Sequence, residues 1–262
     1  MKMRPNPLRE KIANGQAVIG PLLQEIPDSL DLVEFMGCAG FDYVMIDGEH
    51  CGVHPERMRD LARAAEAGGI PILARVPDAD PTRILSFLDA GAMGIVLAHC
   101  NTAEDAEAMV QASKYPPRGI RGAFSGGRAT KFGYAMPIRE WLDFADRETI
   151  CLGLIEEQRA LANVPAMLEI DGFDGCFLGA GDMALSMNRD YLGARPAHPE
   201  VQKAINQVRD QTLAAGKWVM APAGSGAVAR EFIAQGMQMV VVQFGQFFRA
   251  ACDGYLAEAR KA

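Results

Sequence analysis

The chain has no apolar run near the roughly 18 residues of a membrane span, no Cys-x-x-Cys pair, and no cluster of Lys and Arg. The first absence excludes a transmembrane helix, and the second excludes the common zinc ligand spacings. The third removes the basic footprint that nucleic acid or an anionic membrane surface requires. Acidic residues prevail, with 33 Asp plus Glu against 26 Lys plus Arg, for a net charge of −7. The opening Met1-Lys2-Met3-Arg4-Pro5-Asn6-Pro7 leads into no apolar segment, so no secretory leader is expected. Cys38, Cys51, Cys100, Cys151, Cys176 and Cys252 then read as reduced thiols of a cytoplasmic protein.

What is present is a globular composition. Hydrophobic residues make up 49% of the 262 and charged residues 23%, which excludes a disordered chain. Short apolar runs recur at Ala17–Gly20, Tyr43–Asp47, Pro71–Val76, Gly94–His99, Ile150–Glu156, Gly175–Gly179, Trp218–Ala221 and Gln238–Gln243. Their continuous apolar character suits parallel strands buried on both faces. Helical patterns lie between them, at 29–39, 55–68, 81–90, 101–113, 157–169, 198–215, 225–235 and 246–260. Asn101 and Glu104 have capping-box spacing for the fourth of these. Eight βα repeats predict an α/β fold, a (β/α)8 TIM barrel formed as a single domain over residues 1–262. The glycine-rich stretch 115–149 breaks the rhythm. It reads as a lid or subunit contact, or alternatively as a disordered insertion.

In such a barrel chemistry sits where the strands end. Five successive expected strand ends carry ionisable groups: Asp47-Gly48-Glu49-His50, Arg75, His99, Glu156-Glu157 and Asp182. Glu156 and Asp182 offer hard oxygen ligands to a divalent cation, although Asp182 also suits a helix N-cap and Glu157 a first turn. Arg75 can face a developing oxyanion or close an ion pair at the rim. His50 is a candidate general acid or base, or a structural histidine. His54 is given no role. Lys2, Lys11, Lys114, Lys131, Lys203, Lys217 and Lys261 all miss the strand ends, and only Lys131 lies where it can swing in. Metal-assisted carbonyl chemistry is therefore preferred over a Schiff base. Gly122-Ala123-Phe124-Ser125-Gly126-Gly127 matches no nucleotide-binding fingerprint.

Phe41-Asp42-Tyr43-Val44-Met45-Ile46-Asp47-Gly48-Glu49-His50 resembles the signature of the HpcH/HpaI aldolase family. Ala74-Arg75-Val76-Pro77, Leu88-Asp89-Ala90-Gly91-Ala92, Tyr115-Pro116-Pro117-Arg118-Gly119-Ile120-Arg121-Gly122, Ile155-Glu156 and Gly172-Phe173-Asp174-Gly175 through Gly179-Ala180-Gly181-Asp182 follow in order, so the resemblance spans about 15–190. It implies a metal-dependent aldolase that cleaves a 4-hydroxy-2-oxo acid to pyruvate and an aldehyde through an enolate. It further implies Glu156 and Asp182 as ligands to Mg²⁺, Mn²⁺ or Co²⁺, and Arg75 at the enolate oxygen. His50 and Asp89 become a catalytic dyad, and Gly181 and Asp182 hold the substrate carboxylate. The assembly implied is a homo-oligomer, a trimer or a hexamer with an exchanged C-terminal helix. Three features depart from the family pattern: Leu154 stands where Gln is frequent, Ala180 where Pro is common, and Gln243-Phe244-Gly245 near strand eight. The Leu154 and Gln243 departures keep open a barrel that binds a keto acid without turning it over, and the same enolate would also serve an oxaloacetate decarboxylase or a CoA-thioester lyase.

Overall fold

The computed structural model describes residues 3–24, 29–194 and 197–261. Eight parallel strands close into a barrel in sequence order. They are β1 (Val18–Leu23), β2 (Val44–Asp47), β3 (Ile72–Val76), β4 (Gly94–Leu97), β5 (Ile150–Ile155), β6 (Gly175–Leu178), β7 (Trp218–Pro222) and β8 (Met239–Gln243). Helices α2 (Leu30–Cys38), α3 (Pro55–Ala67), α4 (Pro81–Ala90), α5 (Ala103–Ser113), α7 (Val164–Leu168), α8 (Ala180–Met187), α9 (Pro199–Ala214) and α10 (Gly226–Ala234) link the strands. The expected α/β barrel is therefore the fold observed.

Alternation along the strands sorts side chains into two cores. Met45, Leu73, Leu152, Leu154 and Phe177 fill the barrel interior. Val44, Ile46, Ile72, Ala74 and Ile95 face the helices. Asp47, Arg75 and Glu156 lie two residues beyond Met45, Leu73 and Leu154, so they continue the interior columns at the carboxyl end. The amino end is plugged. Helix α1 (Pro7–Ala13) inserts Leu8 into the interior core, and Arg9 bonds Asp174 at 2.7 Å.

Several local expectations shift. The cap of α5 lies one residue later than expected: Thr102 accepts from the Asp105 amide at 3.1 Å and Asp105 accepts from that of Thr102 at 2.9 Å. This frees the Asn101 side chain for other partners. The helix expected over 157–169 is a short 3₁₀ turn, Gln158–Ala160, followed by α7. The stretch 115–149 holds a helix of its own, α6 (Ile138–Glu148), which buries Trp141, Phe144 and Ala145. The last helix, α11 (Phe244–Ala259), buries only Phe244 and leaves Phe247, Phe248 and Tyr255 exposed. No helix among the described residues is long and apolar enough to cross a membrane.

Candidate metal centre

The site begins with a register. Asp47 of β2 and Arg75 of β3 are direct neighbours across the sheet, and their shared parity turns both inward. Arg75 donates from Nε at 3.0 Å and from Nη2 at 2.5 Å to the two oxygens of Asp47. Burial alone would raise the Asp47 carboxyl; the Arg75 hydrogen bonds and charge outweigh it and hold the group below the usual range. Beyond β2 the chain turns sharply. Gly48 donates to the Arg75 carbonyl at 2.9 Å, and a Cβ on Gly48 would come within 2.7 Å of that same oxygen. Asp47 Oδ1 accepts from the Glu49 amide at 2.9 Å. This tight turn lays Glu49 over Arg75, whose Nη1 is 3.1 Å from Glu49 Oε2. That buried Oε2 accepts no well-directed hydrogen bond.

His99 follows β4 with φ 49, a left-handed conformation that a side chain other than glycine adopts at a cost. This turn aims its amide at Glu156 Oε1, 2.9 Å away. It also brings the ring among three carboxylates. Nε2 is 3.0 Å from Glu49 Oε1, and Nδ1 is 3.1 Å from Glu157 Oε1 and 3.4 Å from Glu156 Oε1. Asn101 donates to Glu157 Oε1 at 2.8 Å and so fixes the outer carboxylate.

Glu156 is only 3% exposed. Burial pushes its carboxyl up to about 7; the His99 amide and ring pull the other way, and Glu49 and Asp182 add to the rise. A buried carboxylate beside like charges is a place where a cation relieves electrostatic cost. One oxygen or nitrogen each from Glu49, His99 and Glu156 lies within 4.8 Å of the others. The donor set therefore fits a divalent cation. Gly179 belongs to the same construction, because a Cβ there would approach Glu156 Cβ to 2.4 Å.

The sequence-predicted residues are distributed unevenly. Arg75 and Glu156 are linked at the carboxyl rim through Glu49 and His99. Asp182 is exposed in the first turn of α8, whose N-cap is Gly179, so the N-cap reading of Asp182 does not hold. Gly181 is exposed beside it, with room for a side chain. The rim ion pair considered for Arg75 is present, as the Asp47 pair. His50 is largely exposed, with Nε2 3.8 Å from Glu49 Oε2. Asp89 instead accepts from Arg121 at 3.0 Å, and no hydrogen bond or ion pair between described residues joins it to His50. Lys131 is paired with Glu66 on α3, which holds it away from the rim. The sequence reading left Glu49 and His99 without a role. Their placement at strand ends was visible, but their convergence depends on the turns at Gly48 and His99.

A closed parallel barrel with buried carboxylates, a fixed guanidinium and an imidazole at the carboxyl ends of its strands defines a barrel enzyme suited to cation-assisted chemistry. Comparison with known proteins agrees. Residues 27–247 match the model of the HpcH/HpaI aldolase/citrate lyase family. A 4-hydroxy-2-oxovalerate aldolase of Rhodococcus jostii is 35% identical over 243 residues, covering 90% of this chain and 89% of its own. A hydroxypyruvate/pyruvate aldolase of Cupriavidus necator is 35% identical over 239 residues, covering 90% and 85%. A crystal structure of a family member from Burkholderia cenocepacia, 28% identical, superposes with a TM-score of 0.88 over 98% of this chain and 100% of that one. The chain belongs to the HpcH/HpaI aldolase/citrate lyase family, and it is an aldolase-type lyase.

Proposed function

We propose that the protein is a divalent-metal-dependent aldolase that reversibly cleaves a 4-hydroxy-2-oxo acid to pyruvate and an aldehyde. The observation that carries this reading is the buried Glu156, raised to about 7 amid other carboxylates at the open end of the barrel. Glu156 and Asp182 would hold the cation, with Mg²⁺, Mn²⁺ and Co²⁺ as candidates. When bound, such an ion supplies Lewis acidity at the keto oxygen of the substrate. The names of the relatives, which include 4-hydroxy-2-oxovalerate and hydroxypyruvate/pyruvate aldolases, support the substrate class.

The chain's own residues complete the reaction. The amides of Gly181 and Asp182, in the first turn of α8, would bind the substrate carboxylate. His50 takes the proton of the C4 hydroxyl as the C3–C4 bond breaks, which releases the aldehyde. The electron pair of that bond becomes the enolate, and its negative charge settles on the C2 oxygen. Arg75, prefixed by its two bonds to Asp47, faces that charge and needs little reorganisation. Return of a proton to C3 yields the methyl group of pyruvate. Asp89 is assigned to orienting His50 on the resemblance alone, since Arg121 holds it within the single chain.

The exposed apolar side chains of α11, with Phe124, Phe132 and Tyr134 on the 115–149 stretch, support a homo-oligomer, a trimer or hexamer. That stretch then serves as a subunit contact or lid. The six cysteines form no disulfide, which suits a cytoplasmic location. One observation favours a rival in which keto acid binds without turnover: Leu154, directly beneath Glu156, is apolar and 2% exposed. The test is retro-aldol cleavage coupled to pyruvate detection, before and after stripping with a chelator. Activity should vanish on stripping and return with metal. Unchanged activity in stripped enzyme overturns the mechanism, and metal-dependent pyruvate binding without exchange of the methyl protons favours the rival.

A further inference from the structure

The cation reading assigns no role to His99. His99 has no part in the proton transfer, yet it occupies the centre of the carboxylate group. Its backbone is held in the left-handed region, φ 49, a strain that persists only where the surroundings enforce it. The ring is half exposed, so packing does not account for its position. Both ring nitrogens point at carboxylate oxygens, Nδ1 to Glu156 and Glu157 and Nε2 to Glu49.

We propose that His99 is a nitrogen ligand to the cation held by Glu156, and that it moves the metal preference of this chain from Mg²⁺ towards Co²⁺ and similar imidazole-accepting ions. This rests on the metal-dependent reading above. The spacing fits the assignment: adjacent ligands of an octahedral ion with bonds of about 2.1 Å lie roughly 3 Å apart, and His99 Nδ1 is 3.4 Å from Glu156 Oε1. Glu49 Oε1, 3.0 Å from the opposite ring nitrogen, holds the ring in this orientation. The chemistry then selects the metal. Mg²⁺ takes hard oxygen ligands and keeps its waters, whereas an imidazole favours later first-row ions. A purely structural His99 predicts something else. As an anchor for the carboxylates, it would support every divalent ion alike.

The experiment is calorimetric titration of the chelator-stripped full-length protein with Mg²⁺ and with Co²⁺, in wild type and in His99→Gly. Glycine removes the ring and suits the left-handed backbone, so the variant keeps its fold, which circular dichroism checks. Co²⁺ affinity should fall by at least about tenfold, as loss of groups that support a metal typically does. Mg²⁺ affinity should change by less than about twofold, since the oxygen ligands remain. The visible absorption of bound Co²⁺ should shift and should recover when free imidazole is added. Equal losses for both ions, or no loss for either, overturn the assignment of His99 and leave the metal mechanism standing. If wild type binds neither ion, the metal mechanism itself fails and this inference falls with it.

Discussion

Arg75 and Asp47 are locked as a two-point pair, Nε and Nη2 on the two carboxylate oxygens, with Asp47 wholly buried. The pair positions the guanidinium at the rim and neutralises a charge inside the barrel. Arg75→Ala should therefore lose stability as well as activity. An uncompensated buried carboxylate costs on the order of 3–5 kcal/mol, and loss of a preorganised donor lowers kcat by about 10²–10³. Arg75→Lys should recover part of the stability and little of the rate. Thermal denaturation alongside retro-aldol kinetics checks both. A fully stable Arg75→Ala would show that the pair is not needed for folding.

Glu156 predicts a pH dependence. Its folded value of about 7 lies above the ordinary glutamate value of about 4.3. Between these values the folded state binds more protons than the unfolded chain, so metal-free stability should fall as pH rises through that window. A cation replaces the proton. Metal affinity should rise by about tenfold per pH unit up to roughly pH 7 and level off above it. Chelated unfolding curves and calorimetry across this range measure the two slopes. Glu156→Gln should flatten the stability slope, and a slope that survives it assigns the titration to another group.

Gly179 tests the packing behind the ligand. A Cβ there would come within 2.4 Å of Glu156 Cβ and 3.2 Å of its Cα. Gly179→Ala should displace Glu156, lower metal affinity by at least about tenfold and cost about 1–3 kcal/mol in overpacking. Gly226→Ala, where an added Cβ meets nothing within 4 Å, serves as the control. Equal metal affinity in the two variants would contradict this account.

Helix α11 bears on assembly. Phe247 and Phe248 are 57% and 55% exposed, a poor state for adjacent aromatics in water. Wild type should elute well above the 28.3 kDa of one chain. Phe247→Lys combined with Phe248→Lys should shift it towards that mass. A monomeric wild type would remove the case for an oligomer.

The barrel was legible because its strands are short apolar runs, and burial on both faces leaves that pattern in any parallel strand. Boundaries were less so. The first expected run stops at Gly20, yet β1 continues through Pro21 to Leu23. Helix α6 was hidden behind the glycine-rich 119–133, although Trp141, Phe144 and Ala145 mark one face. The capping box slid from Asn101 to Thr102 because both spacings were available, and only the backbone course chose between them.

The site divides along a similar line. Residue order was enough to place Arg75, Glu156 and Asp182 at one rim, since strand ends in a parallel barrel share one direction. It also carried the family motifs. Glu49 and His99 acquired meaning only in three dimensions. A close approach at Gly48 and a left-handed turn at His99 bring together groups from β2, β4 and β5, separated by 50 or more residues. Such convergence depends on register and turn geometry, which act between distant segments and leave no periodic trace along the chain. The pairing of Asp89 with Arg121 has the same origin, since spacing along the chain cannot show which partner the tertiary course brings to it.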